Sequence, residues 1–284
     1  MPRAFFQTLA ASHIIKSARR RLARLAPAIL LAAPLATVGC SSDSMFMVDP
    51  VGPAIPAGAP LALDIENAFG SVNVVAAPRI TAPTVEARLR TVEWSGNTDP
   101  AAKGRDAWVS AETVEQGGRY ILRILSDTPP DAGQRVQIDL IVRLPACDGV
   151  MIRNAGGPVR VKGTRGSADI ANGTASLPGG IVEYRTNHAI VDPVTITSTD
   201  HHVLYFVGPG SAGTLDLESG IGKVEVDQHF GIMTSVVPTP TTYDAIFNNG
   251  TNPVVLTAPQ GKVEARFIEN AAEYQSFAAG LRAP

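Results

Sequence analysis

Four short segments of the chain share one spacing of apolar residues and glycine, and this repeat limits the possible folds more than any other feature. Each segment reads apolar-x-apolar, four residues, glycine, x, valine, x, apolar. The segments are residues 63–74, 150–161, 215–226 and 254–265. The pattern predicts a short strand, a glycine turn and a second short strand, with alternate side chains buried. Because a unit this small cannot bury its own apolar face, we expect the copies to stack or pair with one another.

The first 40 residues differ in composition from the rest of the chain. They contain six basic residues and no acidic residue, and they include an apolar run from Leu25 to Val38. A basic start followed by an apolar run of this length is typical of an export signal, and the run is too short to cross a membrane as a helix. The sequence therefore predicts a signal peptide over residues 1–39.

The end of this leader resembles a bacterial lipoprotein signal. Gly39 and Cys40 directly follow the apolar run, although such signals usually carry leucine where Thr37 stands. The resemblance implies that Cys40 becomes the lipidated first residue of the mature protein, and Ser41 is compatible with sorting to the outer membrane. The alternative is an ordinary cleaved signal peptide in which Cys40 has no special role.

Charge and cysteine content restrict the partners of the mature chain. Without the leader, 18 basic and 26 acidic residues remain, which gives a formal charge of −8. This charge disfavours nucleic acid as a partner, since its phosphates would be repelled, and leaves membrane attachment to acyl chains. Cys147 is the one cysteine besides Cys40, so the core must be stable without an intrachain disulfide.

The mature sequence divides into a linker, one domain and a tail. Residues 40–60 carry the cysteine and then many serines, prolines and glycines, which predicts a flexible tether. Residues 61–268 alternate short apolar runs with glycine or proline, which leaves no room for helices of ordinary length. This pattern favours a single all-β domain of short stacked strands: a β-solenoid, either a single-stranded right-handed β-helix or a toast-rack arrangement. An irregular β-sandwich is the alternative.

Residues 269–284 are predicted to form a C-terminal cap or tail, with a short helix between Phe267 and Phe277.

The repeats also predict individual turns and buried positions. Gly70, Gly157, Gly222 and Gly261 are expected to hold turn conformations that a side chain would oppose. The side chains expected to face inward are Val72, Val74, Val159, Val161, Leu217, Val224, Val226 and Val263.

Most of the domain resembles a known bacterial family. The strand-like run at 136–144 ends at a proline, and residues 150–152 and 157–163 then supply a Gly-x-Val-x-Val unit. This arrangement resembles the putative-adhesin domain of unknown function in bacterial envelope proteins, also called toast-rack. The resemblance covers residues 61–268 and implies stacked short strands. The family has no assigned catalytic residues, so the resemblance implies none here. Residues 174–214 depart from the regular spacing, which leaves the number of rungs open.

Two groups of residues could carry chemistry. Asp200, His201 and His202 could bind a metal ion, but adjacent histidines on a strand point to opposite faces, so a polar turn is the favoured interpretation. Polysaccharide cleavage would need two carboxylates that face one groove. The acidic candidates, which are also the pattern of a solvated strand face, are Asp169, Glu183, Asp216, Glu218, Glu225 and Asp227. No cofactor is predicted.

The sequence thus favours a protein that is not an enzyme. We expect a lipid-anchored protein of the bacterial cell envelope with an adhesin-like binding or scaffolding domain, as an outer-membrane lipoprotein that faces the periplasm or the cell surface. The expected partners are the membrane, through the N-terminal lipid, and an envelope protein or polysaccharide. Two alternatives stay open: a polysaccharide-active enzyme built on a β-helix, and an envelope sensor or regulatory protein.

Overall fold

The computed structural model describes residues 43–91, 106–129 and 135–274. Within these ranges the chain forms nineteen β-strands and one three-residue 3-10 helix, which confirms the all-β prediction. In the same ranges no helix is long and apolar enough to cross a membrane. The predicted signal peptide and Cys40 lie outside the described residues.

The strands are short, as frequent glycine and proline require. In chain order they are β1 (Asp43–Met47), β2 (Leu61–Asn67), β3 (Val72–Ala76), β4 (Thr84–Thr91), β5 (Trp108–Gln116), β6 (Arg119–Asp127), β7 (Val136–Leu144), β8 (Asp148–Asn154), β9 (Gly157–Lys162), β10 (Arg165–Asn172), β11 (Gly179–Thr186), β12 (Val194–Ser198), β13 (Val203–Val207), β14 (Gly213–Ser219), β15 (Val224–Gln228), β16 (Met233–Pro238), β17 (Thr242–Phe247), β18 (Pro253–Ala258) and β19 (Val263–Phe267). The 3-10 helix covers Ala271–Glu273.

The described strands form two sheets, and the chain alternates between these sheets as it winds into a coil. Sheet A has the order β1-β4-β7-β3-β9-β11-β13-β19-β15, and sheet B has the order β16-β17-β14-β18-β12-β10-β8-β2-β6-β5. A strand of sheet B and the next strand of sheet A together form one rung. The rungs of the described chain are β2–β3, β6–β7, β8–β9, β10–β11, β12–β13, β14–β15 and β18–β19. Neighbouring rungs pair in parallel. Parallel stacking of this kind marks a β-solenoid, whereas sandwiches are built from antiparallel sheets.

All four sequence repeats form rungs of this coil. Residues 63–74 span β2–β3, residues 150–161 span β8–β9, residues 215–226 span β14–β15, and residues 254–265 span β18–β19. The first two copies are neighbours in which equivalent positions are register partners, and so are the last two copies. The prediction that the copies stack on one another is therefore confirmed.

The rungs do not stack in chain order. The β18–β19 rung lies between the β12–β13 and β14–β15 rungs, and the β6–β7 rung lies outside the β2–β3 rung. Leu256 of β18 consequently has Ile196 as its register partner on one side and Leu217 on the other. Antiparallel strands complete each end of the coil: β1 and β4 next to β7, β5 next to β6, and β17 and β16 next to β14.

The inward side chains of both sheets form one apolar core. Six of the eight side chains predicted to face inward are buried, namely Val72, Val74, Val159, Val161, Leu217 and Val263. Val224 and Val226 also pack against the core but are only half-buried, because β15 is the edge strand of sheet A and has a neighbour on one side only. Burial at roughly 25 cal/mol per Å² of apolar area stabilises this core.

A row of buried asparagines follows the coil where the strands of sheet B turn towards sheet A. Asn67, Asn154 and Asn172 end β2, β8 and β10 and are register partners. The amide of Asn67 donates to Oδ1 of Asn154, and the amide of Asn154 donates to Oδ1 of Asn172, both at 2.9 Å. At one end of the row, Ser126 Oγ donates to Oδ1 of Asn67 at 2.5 Å. Because buried amides must be paired, this row fixes the register of the N-terminal rungs.

Residues 43–55, which the sequence assigns to a flexible tether, instead cap one end of the coil. β1 pairs with β4 at the edge of sheet A, and Val51 exchanges backbone hydrogen bonds with β5 at the edge of sheet B. Val48 and Ile55 pack against the core. The free hydrogen-bonding groups of both sheet edges explain why a segment rich in proline and glycine is held in place.

The described C-terminal end covers part of an outer face. Phe267, expected to begin a short helix, belongs to β19, and the helix is limited to Ala271–Glu273. It packs on β11 and β13, where Leu204 and Phe206 point away from the main core and form a small apolar cluster with Ile268. The segment thus covers an outer face of sheet A, because β13 carries apolar side chains on both of its faces. Residues 275–284 lie outside the described part of the chain.

Candidate functional site

The four repeat glycines lie in the turn inside a rung, against the backbone of a neighbouring rung. Gly70 and Gly157 have φ values of +135° and +96°, where any side chain is strained. Gly222 and Gly261 lie outside that region of φ, but a Cβ atom on Gly222 would stand 2.5 Å from the carbonyl oxygen of Gly261. At Gly70 and Gly157 a side chain would therefore meet both an unfavourable φ angle and close backbone contacts. At Gly222 and Gly261 it would meet close backbone contacts alone.

The residues considered as metal ligands belong to the turn between β12 and β13. Asp200 accepts a hydrogen bond from the backbone amide of Gly179 at 3.2 Å. Nδ1 of His202 accepts a hydrogen bond from the backbone amide of Lys262 at 3.0 Å, and the His201 ring meets the His202 ring edge-on. Partial burial lowers the pKa of His202, which favours the neutral acceptor form of its ring. Across the described ranges, no three His, Cys, Asp or Glu side chains group as metal ligands.

On the outer face of sheet A, the candidate carboxylates are paired with cations. Glu225 lies between Lys223 and Lys262, whose Nζ is 3.0 Å from Oε2 of Glu225. The hydrogen bond from Lys223 lowers the pKa of Glu225 most, and the hydrogen bond from Lys262 lowers it further. Asp227 pairs with Nη1 of Arg266 at 2.8 Å. A carboxylate held in its ionised form in this way is a poor general acid for glycoside cleavage.

Two buried carboxylates extend this network towards the middle of sheet A. Glu183 pairs with Arg185 on its own strand. Glu264 is bonded by Lys262 Nζ at 2.7 Å and by Arg266 Nε at 2.5 Å. Since Lys262 and Arg266 of β19 also bind the carboxylates of β15, these ion pairs connect neighbouring rungs. The charged residues on this face therefore have a structural role, because they pair one rung with the next.

The remaining acidic candidates lie on sheet B, where Asp216 and Glu218 share one face of β14 and Asp169 lies apart from them. Asp216 and Glu218 are exposed on β14. Asp169 lies on β10, with β12 and β18 between the two strands, and its carboxylate pairs with Arg153.

A groove on the outer face of sheet B is the one feature of the described surface that we single out as a binding site. It has a volume of about 490 Å³ and is lined by residues of β5, β6, β2, β8 and β10. Small side chains, including Ala68, Ala155 and Ala171, leave space between its larger lining residues. Concave sites with a few polar groups on a mainly apolar surface are typical of ligand pockets.

Trp108 provides the aromatic face of this groove and is 48% exposed. It occupies the outward register of β5 together with Ser110 and Glu112, whereas Ala111 and Thr113 face inward and are buried. An exposed indole can stack on the apolar face of a ligand and still donate a hydrogen bond. Sequence reasoning places residue 108 in a strand but misses its role. The available signal is a tryptophan in the polar register of an amphipathic strand.

Charged side chains line the same groove as the indole. Asp127 is the cross-strand partner of Trp108 on β6. Glu66 and Arg153 are register partners on β2 and β8 and line the same groove. Nη1 of Arg153 donates to the carbonyl oxygen of Asp169 at 3.0 Å, which orients the guanidinium. The groove therefore combines hydrogen-bond acceptors, an oriented donor and an aromatic surface, a set of groups suited to a polar ligand with an apolar face.

Comparison with solved structures gives several structural neighbours, including the following two. One is a "putative cell adhesion protein" from Clostridium sporogenes, with 11% sequence identity and a TM-score of 0.44 over 81% of this chain and 100% of that chain. The other is a "putative adhesin" from Bacteroides fragilis, with 9% identity and a TM-score of 0.22 over 78% of this chain and 95% of that chain. No protein-family model and no curated protein matches the chain. The description of the fold therefore depends on the rung geometry itself.

Proposed function

We propose that this protein is a lipid-anchored component of the bacterial cell envelope whose solenoid is a non-catalytic, adhesin-like binding domain. The contrast between the two outer faces supports the proposal. On sheet A, carboxylates are neutralised between rungs, whereas sheet B carries a groove with an exposed tryptophan. Each rung contacts its neighbours along its length, which yields an extended and rigid surface suited to binding.

The groove predicts a specific dependence on Trp108. A tryptophan at the centre of an interface typically contributes about 2 kcal/mol or more, so Trp108→Ala should weaken binding by roughly 30-fold. The measurement is a binding isotherm of the purified Cys40→Ser protein on isolated envelope polysaccharide and, separately, on solubilised envelope protein. These two arms distinguish the two classes of partner.

Met151 provides the matched control for this experiment. It is a large apolar side chain that is exposed on β8 of the same sheet, and it does not line the groove. Met151→Ala should leave the affinity unchanged. Equal affinities for the Trp108→Ala and Met151→Ala proteins would contradict the assignment of the groove.

The lipid anchor is proposed from Gly39-Cys40 after the apolar run. Acylation at Cys40 predicts that the mature protein incorporates radiolabelled palmitate and sediments with membranes. Cys40→Ser should abolish the label and move the protein to the soluble envelope fraction, because a single protein domain with a net negative charge has little affinity for anionic lipid. A Cys40→Ser protein that still incorporates palmitate would argue against this anchor.

A further inference from the structure

The cap at residues 43–55 turns apolar side chains towards the outside of the molecule. Met45, Phe46 and Met47 of β1 are 67%, 42% and 57% exposed, and Val51 is 75% exposed. We call these four residues the end patch. Successive residues of a strand point to opposite faces, so three consecutive exposed side chains mean that neither face of β1 is covered. Terminal units of solenoids normally present a polar surface to water.

The core does not require the end patch. Val48 and Ile55 of the same segment supply the contacts with the core. The backbone of β1 pairs with β4 from Asp43, opposite Arg90, to Met47, opposite Glu86. These hydrogen bonds would form equally well with polar side chains. Several exposed apolar residues at one end of the coil, without a role in the core, indicate contact with another surface.

The sequence predicts that a membrane lies close to the end patch. Two residues separate Cys40 from the start of β1 at Asp43. A fully extended chain spans at most about 3.6 Å per residue, so an acylated Cys40 would lie within about 11 Å of β1. The acyl chains would therefore hold the end patch at the surface of the bilayer.

We propose that the end patch lies in the interfacial region of the membrane that holds the lipid anchor. The inference rests on the proposed acylation of Cys40. A lipid surface fits better than a second copy of the chain, because four partly exposed side chains provide less than the roughly 800 Å² per partner of a stable protein interface. Apolar side chains that enter the boundary between headgroups and acyl chains add to the affinity of a lipid anchor.

This contact would set the orientation of the coil. β1 and β5 are the edges of the two sheets at the same end, as the pairing of Val51 with β5 shows. β15 and β16 are the edges at the other end. The β1 end would thus rest on the bilayer, the groove beside Trp108 would lie near the membrane surface, and the β14–β15 rung would project away from it.

Site-specific fluorescence in vesicles tests the contact. Met45→Cys and, as a control, Val191→Cys are made in the full chain and labelled with a nitrobenzoxadiazole dye. Val191 is exposed in the segment between β11 and β12. Cys147 is buried, so it should react with the dye far more slowly than the two introduced cysteines. The processed proteins are reconstituted in phosphatidylethanolamine and phosphatidylglycerol vesicles, with or without a lipid that carries a nitroxide near its headgroup.

The result expected is quenching at position 45 alone. Emission from residue 45 should fall by about half in the nitroxide vesicles, because an interfacial segment lies within roughly 5–10 Å of the headgroup boundary. Emission from residue 191 should not change. Mass spectrometry of the same samples reports acylation separately. Acylated protein with equal emission at both positions would overturn the contact and leave the anchor intact, whereas protein without acyl chains would overturn the anchor and the contact with it.

A polar variant provides a second test, and its substitutions are not expected to disturb the fold. Met45, Phe46 and Met47 are replaced together by serine, and the dye is placed at Val51→Cys. All of these positions are exposed, so the far-UV circular dichroism should stay the same. Quenching at residue 51 should be weaker in the serine variant than in its unsubstituted parent. Equal quenching in the two proteins would overturn the role of these three side chains.

Discussion

The N-terminal and C-terminal rungs stack in the same parallel way but hold their turns by different means. In the β2–β3, β8–β9 and β10–β11 rungs, side-chain amides bond to one another from rung to rung. In the β12–β13 and β14–β15 rungs, serine stands near the same place. Ser198 Oγ donates to the carbonyl oxygen of Gly180 at 2.8 Å, and Ser219 Oγ donates to that of Gly261 at 2.6 Å.

This difference shows that the stacking determines which side chains are buried but not how the turn is secured. An asparagine side chain has two donor hydrogens and an acceptor oxygen, so it can bond to a rung on each side, whereas a serine hydroxyl has a single donor. The glycines differ in parallel. Gly157 combines a positive φ with close contact, and Gly222 has close contact alone. We therefore expect the N-terminal turns to be the more sensitive to substitution.

Asn154→Ala should cause the largest loss of stability. Oδ1 of Asn154 accepts from Asn67, and the two hydrogens on its Nδ2 are shared among Oδ1 of Asn172 and the carbonyl oxygens of Gly70 and Gly156. Removing it leaves several buried groups unpaired, which should lower the free energy of unfolding by about 3 kcal/mol or more. The measurement is urea unfolding of the Cys40→Ser chain, followed by far-UV circular dichroism.

Ser219→Ala is the matched change in a C-terminal rung. It removes one hydrogen bond, to the carbonyl oxygen of Gly261, and should lower the free energy of unfolding by about 1 kcal/mol. Equal losses for the serine and asparagine variants would remove the basis of the comparison between the two halves.

The repeat glycines give a smaller contrast of the same kind. Gly157→Ala should lower the free energy of unfolding by about 2 kcal/mol, because the new side chain is strained by the positive φ and also overlaps the backbone at Gly70. Gly222→Ala should have a loss of about 1 kcal/mol from the contact with Gly261. Gly222→Val should cost more than Gly222→Ala. Thermal melting of each variant provides the ranking, and wild-type melting of Gly222→Val would count against the stacked-rung arrangement.

Thiol reactivity should sharpen the comparison without a large change in stability. Cys147 lies just before β8, is 1% exposed and has a pKa raised to about 12 by burial. Below that pH the thiol stays protonated in the folded state, so at pH 8 its labelling should report opening of the N-terminal rungs. Asn154→Ala should accelerate labelling, and Ser219→Ala should change it little. Rapid labelling of the parent protein at pH 8 would contradict the burial of this thiol.

The sequence predicts the rungs well because their burial pattern is local. The spacing in residues 63–74 fixes which side chains face the core and where the turn falls, and the same holds for the other three copies. Neighbours are harder to predict, since every rung offers a similar apolar row. Nothing in residues 254–265 indicates that this rung lies between two earlier ones. The half-burial of Val224 and Val226 follows from the same missing information, because an edge position depends on which rung is last.

Two other features escape sequence reasoning for different physical reasons. Residues 43–55 have a linker-like composition, yet the free edges of two sheets supply hydrogen bonds that hold them in place. The groove beside Trp108 is assembled from five strands that lie between residues 61 and 172, so only the fold brings its lining together. Part of the asparagine row can be predicted from the sequence, because Asn67 and Asn154 occupy the same position of two matched repeats.

Methyl–methyl nuclear Overhauser contacts from Leu256 test the central claim, the stacking of repeats in this particular order, most directly. Leu256 is buried in the inserted β18–β19 rung, between Ile196 and Leu217. In a methyl-labelled Cys40→Ser protein, the account predicts strong contacts from Leu256 to both of these side chains. Strong contacts between Ile196 and Leu217, with none from Leu256 to either, would show rungs stacked in chain order and would contradict the account.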